Sequence, residues 1–307
     1  MEEQKPCVIC NSSQTSLWCQ SKDLEYHTTD EIYTFYKCGQ CSTIFIADFL
    51  VDQLPTIYPS NYYSFSKQKK TLGLKVKNYL DRRLFKRLLS KFNNRPINVL
   101  DVGGGSGWLL NTIKEIYPNI NVSQIIDIDL EAKNQAEKDG HEFFHGTVEE
   151  FETDVSFDVI LMLNLIEHIS NPEETLNKLS KVLKPDGTIL IKTPNVDSLD
   201  ARLFRKRYWG GLHCPRHWIL FSEKSFRQLI SRTPLSVKTL KHTQGAPFWA
   251  WSILALLKQN KLIKTSKEKP MIYHPLVPIL NVLFAGFDFL RGALGFKTSQ
   301  MFVELEK

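Results

Sequence analysis

The sequence lacks a long apolar run. No segment reaches the roughly 18 uninterrupted apolar residues that a spanning helix needs, so no membrane span is expected. The opening residues, Met-Glu-Glu-Gln-Lys-Pro, have no apolar stretch of the kind a secretory leader carries. The expectation is a cytoplasmic protein, and disulfides are not expected in that compartment. Neither sign of charge dominates: 39 Lys and Arg stand against 33 Asp and Glu, a formal net charge of +6. Basic residues do cluster, at Lys67-Lys69-Lys70, at Arg82-Arg83 with Lys86-Arg87, and at Arg202 with Arg205-Lys206-Arg207. Such clusters usually form a solvated face. There is no arginine-rich stripe and no Asn-Pro-Pro-Tyr motif, which counts against a nucleic-acid target. What remains is an ordinary globular composition, 42% apolar and 23% charged, over 307 residues. That is enough for one large domain with additions.

Cysteine is scarce, and four of the six fall in two pairs, Cys7-Val-Ile-Cys10 and Cys38-Gly-Gln-Cys41. Each pair suits a tight knuckle that presents two thiolates to one metal. Two knuckles complete a tetrahedral site, and zinc in a structural role favours four thiolates. The 27-residue spacer allows a β-rich excursion, with Ile32-Tyr-Thr-Phe-Tyr36 as a strand before the second knuckle. A closed four-cysteine site has no open position, so no catalysis is expected from it. Cys19 and Cys214 stand alone and read as thiols.

The most informative stretch is Asn98-Val-Leu-Asp-Val-Gly-Gly-Gly-Ser-Gly-Trp108. Ile97 to Val102 is a short apolar run that suits a buried parallel strand. Gly103, Gly104, Gly105 and Gly107 then lead into a helical pattern. Strand, glycine turn and helix bring backbone N–H groups close to a ligand. A second apolar run ends in Asp127-Ile-Asp129. A third, Phe157 to Asn164, is followed directly by Leu165-Ile-Glu167-His168. Leu183-Lys-Pro-Asp-Gly187 stops a helix before a further strand that ends at Pro194-Asn195. Alternating strands and helices predict a parallel sheet covered on both faces.

Taken together, these residues resemble the class I S-adenosylmethionine (SAM)-dependent methyltransferases. The closest likeness is to the branch with ubiquinone-pathway and surface-glycan methyltransferases, over about Asn98 to Ile230. A nicotinamide-binding domain would space its glycines as G-x-G-x-x-G, whereas here the run is Asp101-x-Gly-Gly-Gly-x-Gly107. The resemblance implies an α/β, Rossmann-like seven-stranded sheet with helices on both faces and an antiparallel last strand. To this the sequence adds a small N-terminal zinc ribbon and a helical insertion before the last strand. The expected partition is 1–55, zinc-binding module; 56–95, tyrosine-rich linker and helix; 96–244, SAM-binding core; 245–297, apolar helical insertion; 298–307, last strand.

The resemblance also implies site roles. Gly103, Gly104, Gly105 and Gly107 would cradle SAM, and Asp101 would meet its methionyl amine. Asp129 is the choice for the ribose hydroxyls, with Asp127 as the alternative. Val148 and Glu149 would read the adenine, and Leu163 and Asn164 would lie beside the methionine portion. A plain acidic helix start is the other reading of Glu149 and Glu150. The segment Tyr58-Pro-Ser-Asn-Tyr62-Tyr63 would lie over the active site, or would simply pack the zinc module onto the core.

An oxygen acceptor needs a base. The insertion after the fifth core strand, Trp209-Gly-Gly-Leu-His213-Cys-Pro-Arg216-His217-Trp218, overhangs the sheet end where ligands bind. His217 is the first choice as base, His213 the second and His168 a rival, with Glu167 as an orienting group. Arg216 is expected to bind an anionic substrate group, and Trp209 and Trp218 to stack on a ring or to pack. The implied function is methyl transfer to a small-molecule, glycan or lipid-linked acceptor, with a sugar hydroxyl favoured. Sugar C-methylation is one alternative, and an RNA methyltransferase or nucleic-acid-binding protein is the other. Two apolar stretches, Pro247–Leu257 and Leu276–Leu290, flank a lysine-bearing link. They read either as a hairpin packed on the core or as peripheral contacts with an anionic membrane on its inner face.

Overall fold

The computed structural model describes residues 5–59, 62, 72–205 and 208–307, without the side chains of 72–77. Tyr63, the cluster Lys67-Lys69-Lys70, and Lys206 with Arg207 lie outside the described residues.

Short strands β1 (Thr15–Ser21), β2 (Tyr33–Cys38) and β3 (Ile44–Ile46) form an antiparallel sheet at the N-terminus. A short helix α1 (Leu54–Ile57) and a long helix α2 (Leu72–Leu89) lead to the core. The sequence reads 72–92 as an amphipathic helix with Leu74, Leu80, Leu84, Leu88 and Leu89 on one side, and among the described side chains that stripe is only partly buried. Leu80 is exposed, while Phe85 and Leu89 face the core.

The core alternates as the apolar runs predict. Its elements are β4 (Ile97–Val102), α3 (Trp108–Ile116), β5 (Ile120–Asp127), α4 (Leu130–Lys138), β6 (Glu142–His145), β7 (Phe157–Leu163), α5 (Pro172–Val182) and β8 (Leu183–Pro194). The chain continues through α6 (Leu199–Phe204), β9 (Ile219–Leu220), α7 (Glu223–Ile230), β10 (Ser236–Thr243), α8 (Ala246–Gln259), α9 (Val277–Ala293) and β11 (Gln300–Glu306).

The seven-stranded sheet runs β10-β11-β8-β7-β4-β5-β6. Only β11 is antiparallel to its neighbours β8 and β10. The strand order reverses next to β4, and β4 pairs in parallel with β5 and β7. A ligand crevice opens at such a reversal, beyond the carboxyl ends of the strands. Three of the four central strands carry nearly continuous buried runs; in β7 every residue from Phe157 to Met162 is buried. That is the pattern of strands covered on both faces.

The insertion after β8 does not stay within the core. Its short strand β9 pairs with β3, Ile44 opposite Leu220 and Phe45 opposite Ile219, and so completes the N-terminal sheet as its fourth strand. The 245–297 stretch folds as the hairpin α8–α9. Buried Asp288 fixes it to the core: its carboxylate accepts hydrogen bonds from Gly245 N–H (3.1 Å), Trp249 Nε1 (3.3 Å) and the Ser299 hydroxyl (2.7 Å). No helix among the described residues is long and apolar enough to cross a membrane.

Candidate active site

After β4 the chain turns through Gly103, Gly105 and Gly107 at φ +73°, +51° and +81°. Side chains are strained there, and glycine is not. A Cβ on Gly105 would meet nothing within 4 Å, so this part of the turn borders open space. A Cβ on Gly104 would sit 2.7 Å from Asp101 Cγ, so the turn can fold back over Asp101 only as glycine.

Asp101 is 2% exposed. Its Oδ2 has no hydrogen-bond partner among the described residues. Burial, with the nearby Asp127 charge adding to it, pushes its pKa up to about 8. A buried carboxyl with a bare oxygen beside a glycine cradle is matched to a cationic donor such as an ammonium group.

The two acids after β5 divide into distinct tasks. Asp127 Oδ2 accepts the Gly105 N–H at 2.7 Å, and its Oδ1 accepts the Asp129 N–H at 2.8 Å. Asp129 is the N-cap of α4, its Oδ1 accepting from Glu131 N at 3.0 Å and Ala132 N at 3.4 Å. That is the ordinary use of Asp at a helix start. The geometry therefore places Asp127, rather than Asp129, against the glycine turn.

A cleft of about 580 Å³ runs between Val51–Tyr58 and Ile128–Glu131. Val148 is buried, and Glu149 Oε1 accepts the Thr175 hydroxyl at 2.6 Å. Asn164 takes φ +56°, and its Oδ1 accepts from Gln300 Nε2 at 2.9 Å. Leu163 ends β7, and a Cβ on Gly103 would lie 3.1 Å from Leu165 Cδ1. The glycine turn thus touches the segment that carries Glu167 and His168.

That segment begins a histidine cluster. The ring centroids of His168 and His217 are 4.6 Å apart, and those of His213 and His217 are 5.0 Å apart. Each ring presents Nδ1 to an acceptor. His168 Nδ1 lies 3.0 Å from the Arg216 carbonyl and 2.7 Å from the Tyr58 hydroxyl. His217 Nδ1 donates to the Gly211 carbonyl at 2.8 Å. His213 Nδ1 donates to the Glu25 carboxylate, while its Nε2 accepts the Tyr62 hydroxyl at 2.9 Å. A carbonyl or carboxylate partner at Nδ1 leaves the lone pair on Nε2.

Burial lowers the pKa of His168 to about 3 and that of His217 well below the usual range, with the neighbouring rings adding repulsion. Both are neutral. Glu167 is fully buried, its two carboxyl oxygens have no hydrogen-bond partner among the described residues, and burial raises its pKa to about 8. Its Oε1 is 3.9 Å from His217 Nε2. The donor atoms of Glu167, His168 and His217 all lie within 4.8 Å of one another.

The structure therefore brings His168, His213, His217 and Glu167 together. It also adds residues that the sequence did not single out. Glu25 reaches His213 from the N-terminal module, and the Tyr208 hydroxyl donates to Glu25 Oε1 at 2.6 Å. Asp23, from the same loop, binds Arg216 Nη2 at 2.8 Å. Arg216 is fully buried and so is not presented to a substrate anion. Trp209 and Trp218 are buried and pack, Trp209 edge-on to Trp18 and Trp218 against Phe49. No local signal marks Asp23 or Glu25, because their partners lie more than 180 residues away.

At the N-terminus, Cys7, Cys10, Cys38 and Cys41 hold their sulfurs within 4.8 Å of one another, and all four are free thiols. The Cys7–Cys41 and Cys10–Cys38 separations are 3.5 Å. A hydrogen bond from Cys7 favours the Cys41 thiolate.

The protonated Asp101 has a consequence for stability. Its folded pKa near 8 exceeds the value of about 4 in an unfolded chain, so folding takes up a proton between those values. Its contribution to stability therefore falls as pH rises from about 4 to about 8. Urea unfolding across that window is expected to show a shallower pH dependence for Asp101→Asn than for the parent; equal slopes would show that Asp101 is already ionised.

Residues 75–239 match a family model described as a methyltransferase domain. A mitochondrial ubiquinone biosynthesis O-methyltransferase from Dictyostelium discoideum is 30% identical over 118 residues, 32% of this chain and 36% of that protein. The ubiquinone biosynthesis O-methyltransferase of Rickettsia akari (strain Hartford) is 28% identical over 114 residues, 36% of this chain and 43% of that protein. The chain thus spans well under half the length of these two relatives. Coclaurine N-methyltransferase, solved with N-methylheliamine and SAH, superposes with a TM-score of 0.51 at 18% identity, covering 80% of this chain and 76% of that one. The plantazolicin methyltransferase BpumL, in complex with SAH, gives 0.48 at 18% identity, covering 75% and 84%. At that identity the coclaurine enzyme supports the fold alone. The family model, in contrast, covers more than half of the 307 residues, and on that match the chain belongs to the methyltransferase-domain family.

Proposed function

We propose that this chain is a SAM-dependent methyltransferase acting on a hydroxyl of a small-molecule or lipid-linked acceptor, with a sugar or glycan hydroxyl as the favoured class. The observation that carries the reading is the bare Asp101 oxygen beneath an open glycine cradle, one segment away from a buried histidine cluster. Bound SAM would supply an electrophilic methyl group on a sulfonium. Asp101 would take its amine, the Gly103–Gly107 backbone would lie along its tail, and Asp127 would hold the ribose diol. Asp129, the sequence choice for that diol, caps α4 through Oδ1 and lines the cleft beside Tyr58, and it is the alternative.

The remaining residues would orient the acceptor and accept its proton. Among the three histidines, His213 alone has a carboxylate at Nδ1, the contact that orients a general-base imidazole. The role expected of His217 therefore passes to His213, with Glu25 fixing its ring and Tyr62 as the hydroxyl already seated on Nε2. His168 and His217, neutral and buried, would shape the site and exclude water.

The four cysteines fit a structural zinc ion. Sulfurs at a Zn–S distance of about 2.3 Å in a tetrahedron lie about 3.8 Å apart, close to the observed pairs. The ion would secure the N-terminal sheet and the loop that delivers Glu25.

Asp127→Ala is expected to weaken SAH binding by about 1.5–3 kcal/mol, the scale of a hydrogen bond to a charged group, and Asp129→Ala by less. Titration calorimetry on both folded variants checks the order, and the reverse order would return the ribose role to Asp129.

His213→Ala is expected to lose about 10²–10⁴ in turnover at unchanged SAH affinity, with Glu25→Gln also impaired. The readout is labelled-methyl transfer from SAM into lipid and glycan fractions. Full turnover in His213→Ala would exclude it as the base.

Metal analysis of protein purified without chelator is expected to find about one zinc per chain. A Cys38→Ser, Cys41→Ser variant that retained the full metal content would refute the site.

A further inference from the structure

We propose that the outer face of the α8–α9 hairpin is a docking surface for an anionic lipid bilayer. The two faces of α9 are distinct. Leu280, Phe284, Asp288 and Arg291, spaced at helical intervals, turn inward; Phe284 stacks on Trp249 at 4.9 Å between ring centroids. Ile279, Val282, Leu283, Phe289, Leu290 and Leu294 turn outward and are each 61–75% exposed. From Ile279 to Leu290 the only charged residue is Asp288, and it is buried. The outer face is thus an uncharged apolar ridge about 18 Å long. Single exposed apolar side chains are ordinary, but a contiguous ridge marks a surface that something covers.

The charge of the segment that carries the ridge says what covers it. Residues 245–299 contain seven Lys and Arg against two acids, Glu268 and Asp288, a formal +5 out of +6 for the whole chain. Arg291 and Lys297 are paired with Asp288 and Asp197, and Lys258 faces His27. Lys261, Lys264, Lys267 and Lys269 are exposed in the link that leads to α9, and their side chains make no ion pair among the described residues. An apolar ridge reached through a link of exposed, unpaired lysines matches a helix lying in the headgroup layer of an anionic membrane. A second copy would bring two positive segments together. The helix is too short to span, so the contact is peripheral.

The location ties the surface to the site. The inner face of α8 supplies Trp251, stacked on His213 at 5.4 Å, and the Ser252 hydroxyl, which accepts the Gly210 N–H at 2.8 Å. One helix layer separates the ridge from the histidine cluster. If that cluster is the acceptor site, as proposed above, an amphiphilic acceptor resident in the bilayer is the substrate class it serves; the docking itself does not depend on that reading.

Flotation of the full chain with phosphatidylglycerol–phosphatidylcholine vesicles tests it. The parent is expected to float at about 50 mM salt, to float several-fold less at about 500 mM, and to remain behind with phosphatidylcholine alone. Leu283→Glu with Phe289→Glu is expected to reduce flotation about tenfold while SAH binding is retained. Lys261→Glu with Lys264→Glu and Lys267→Glu, in the exposed link, is expected to do the same and covers the case in which the first variant fails to fold. A parent that stays behind with anionic vesicles at low salt overturns the proposal. If that parent is also a dimer that Leu283→Glu with Phe289→Glu makes monomeric, the ridge is an interface between copies. Failure of SAH binding with intact flotation would count against the catalytic reading alone.

Discussion

The ion pair between Asp23 and Arg216 holds the site together. Both side chains are fully buried, 2.8 Å apart, one from the N-terminal module and the other from the insertion after β8. Burial opposes ionisation of Asp23, but the guanidinium charge and hydrogen bonds from the Tyr26 N–H and Thr28 outweigh it and bring its pKa to about 2. Arg216 also lies 4.6 Å over the Tyr26 ring. A buried pair is costly to assemble and is tolerated where most of its polar atoms have partners, as on Asp23. Its value here is positional. Two residues beyond Asp23 comes Glu25 on His213, and next to Arg216 comes His217. With the β9–β3 pairing and the Glu25–His213 contact, the pair fixes the histidine-bearing loop against the module.

The core was legible because its strands are covered on both sides. Such strands must be continuously apolar, and the runs at Ile97, Phe157 and Ile189 announce themselves without reference to any neighbour. The cysteine pairs were legible for a similar reason: their chemistry is local. Asp127 and Asp129 show where local reading stops. Both are acids after one strand, and only the backbone path shows that one caps α4 while the other meets the glycine turn.

Glu25 and Asp23 were not legible. In Lys-Asp-Leu-Glu-Tyr they look like surface charges, and their meaning lies in residues 213–216. Tyr58 and Tyr62 were ambiguous between packing and an active-site role. In the structure their rings pack edge-on at 4.9 Å while their hydroxyls reach His168 and His213. The α2 stripe erred for another reason: a leucine pattern gives the period of a helix but not how much of its length a neighbour covers.

Strand β9 sets the order in which the molecule can be built. The first three strands of its sheet are complete by Ile46, but the fourth is Ile219–Leu220. At ribosomal rates of about 5–20 residues per second, the edge of β3 waits on the order of ten to thirty seconds for its partner. Through that interval the knuckles can close on their own, but the edge backbone of β3 is unpaired and Asp23 and Glu25 face no cation or imidazole. The N-terminal module is thus synthesised before the core strands but cannot be completed until Leu220 has emerged.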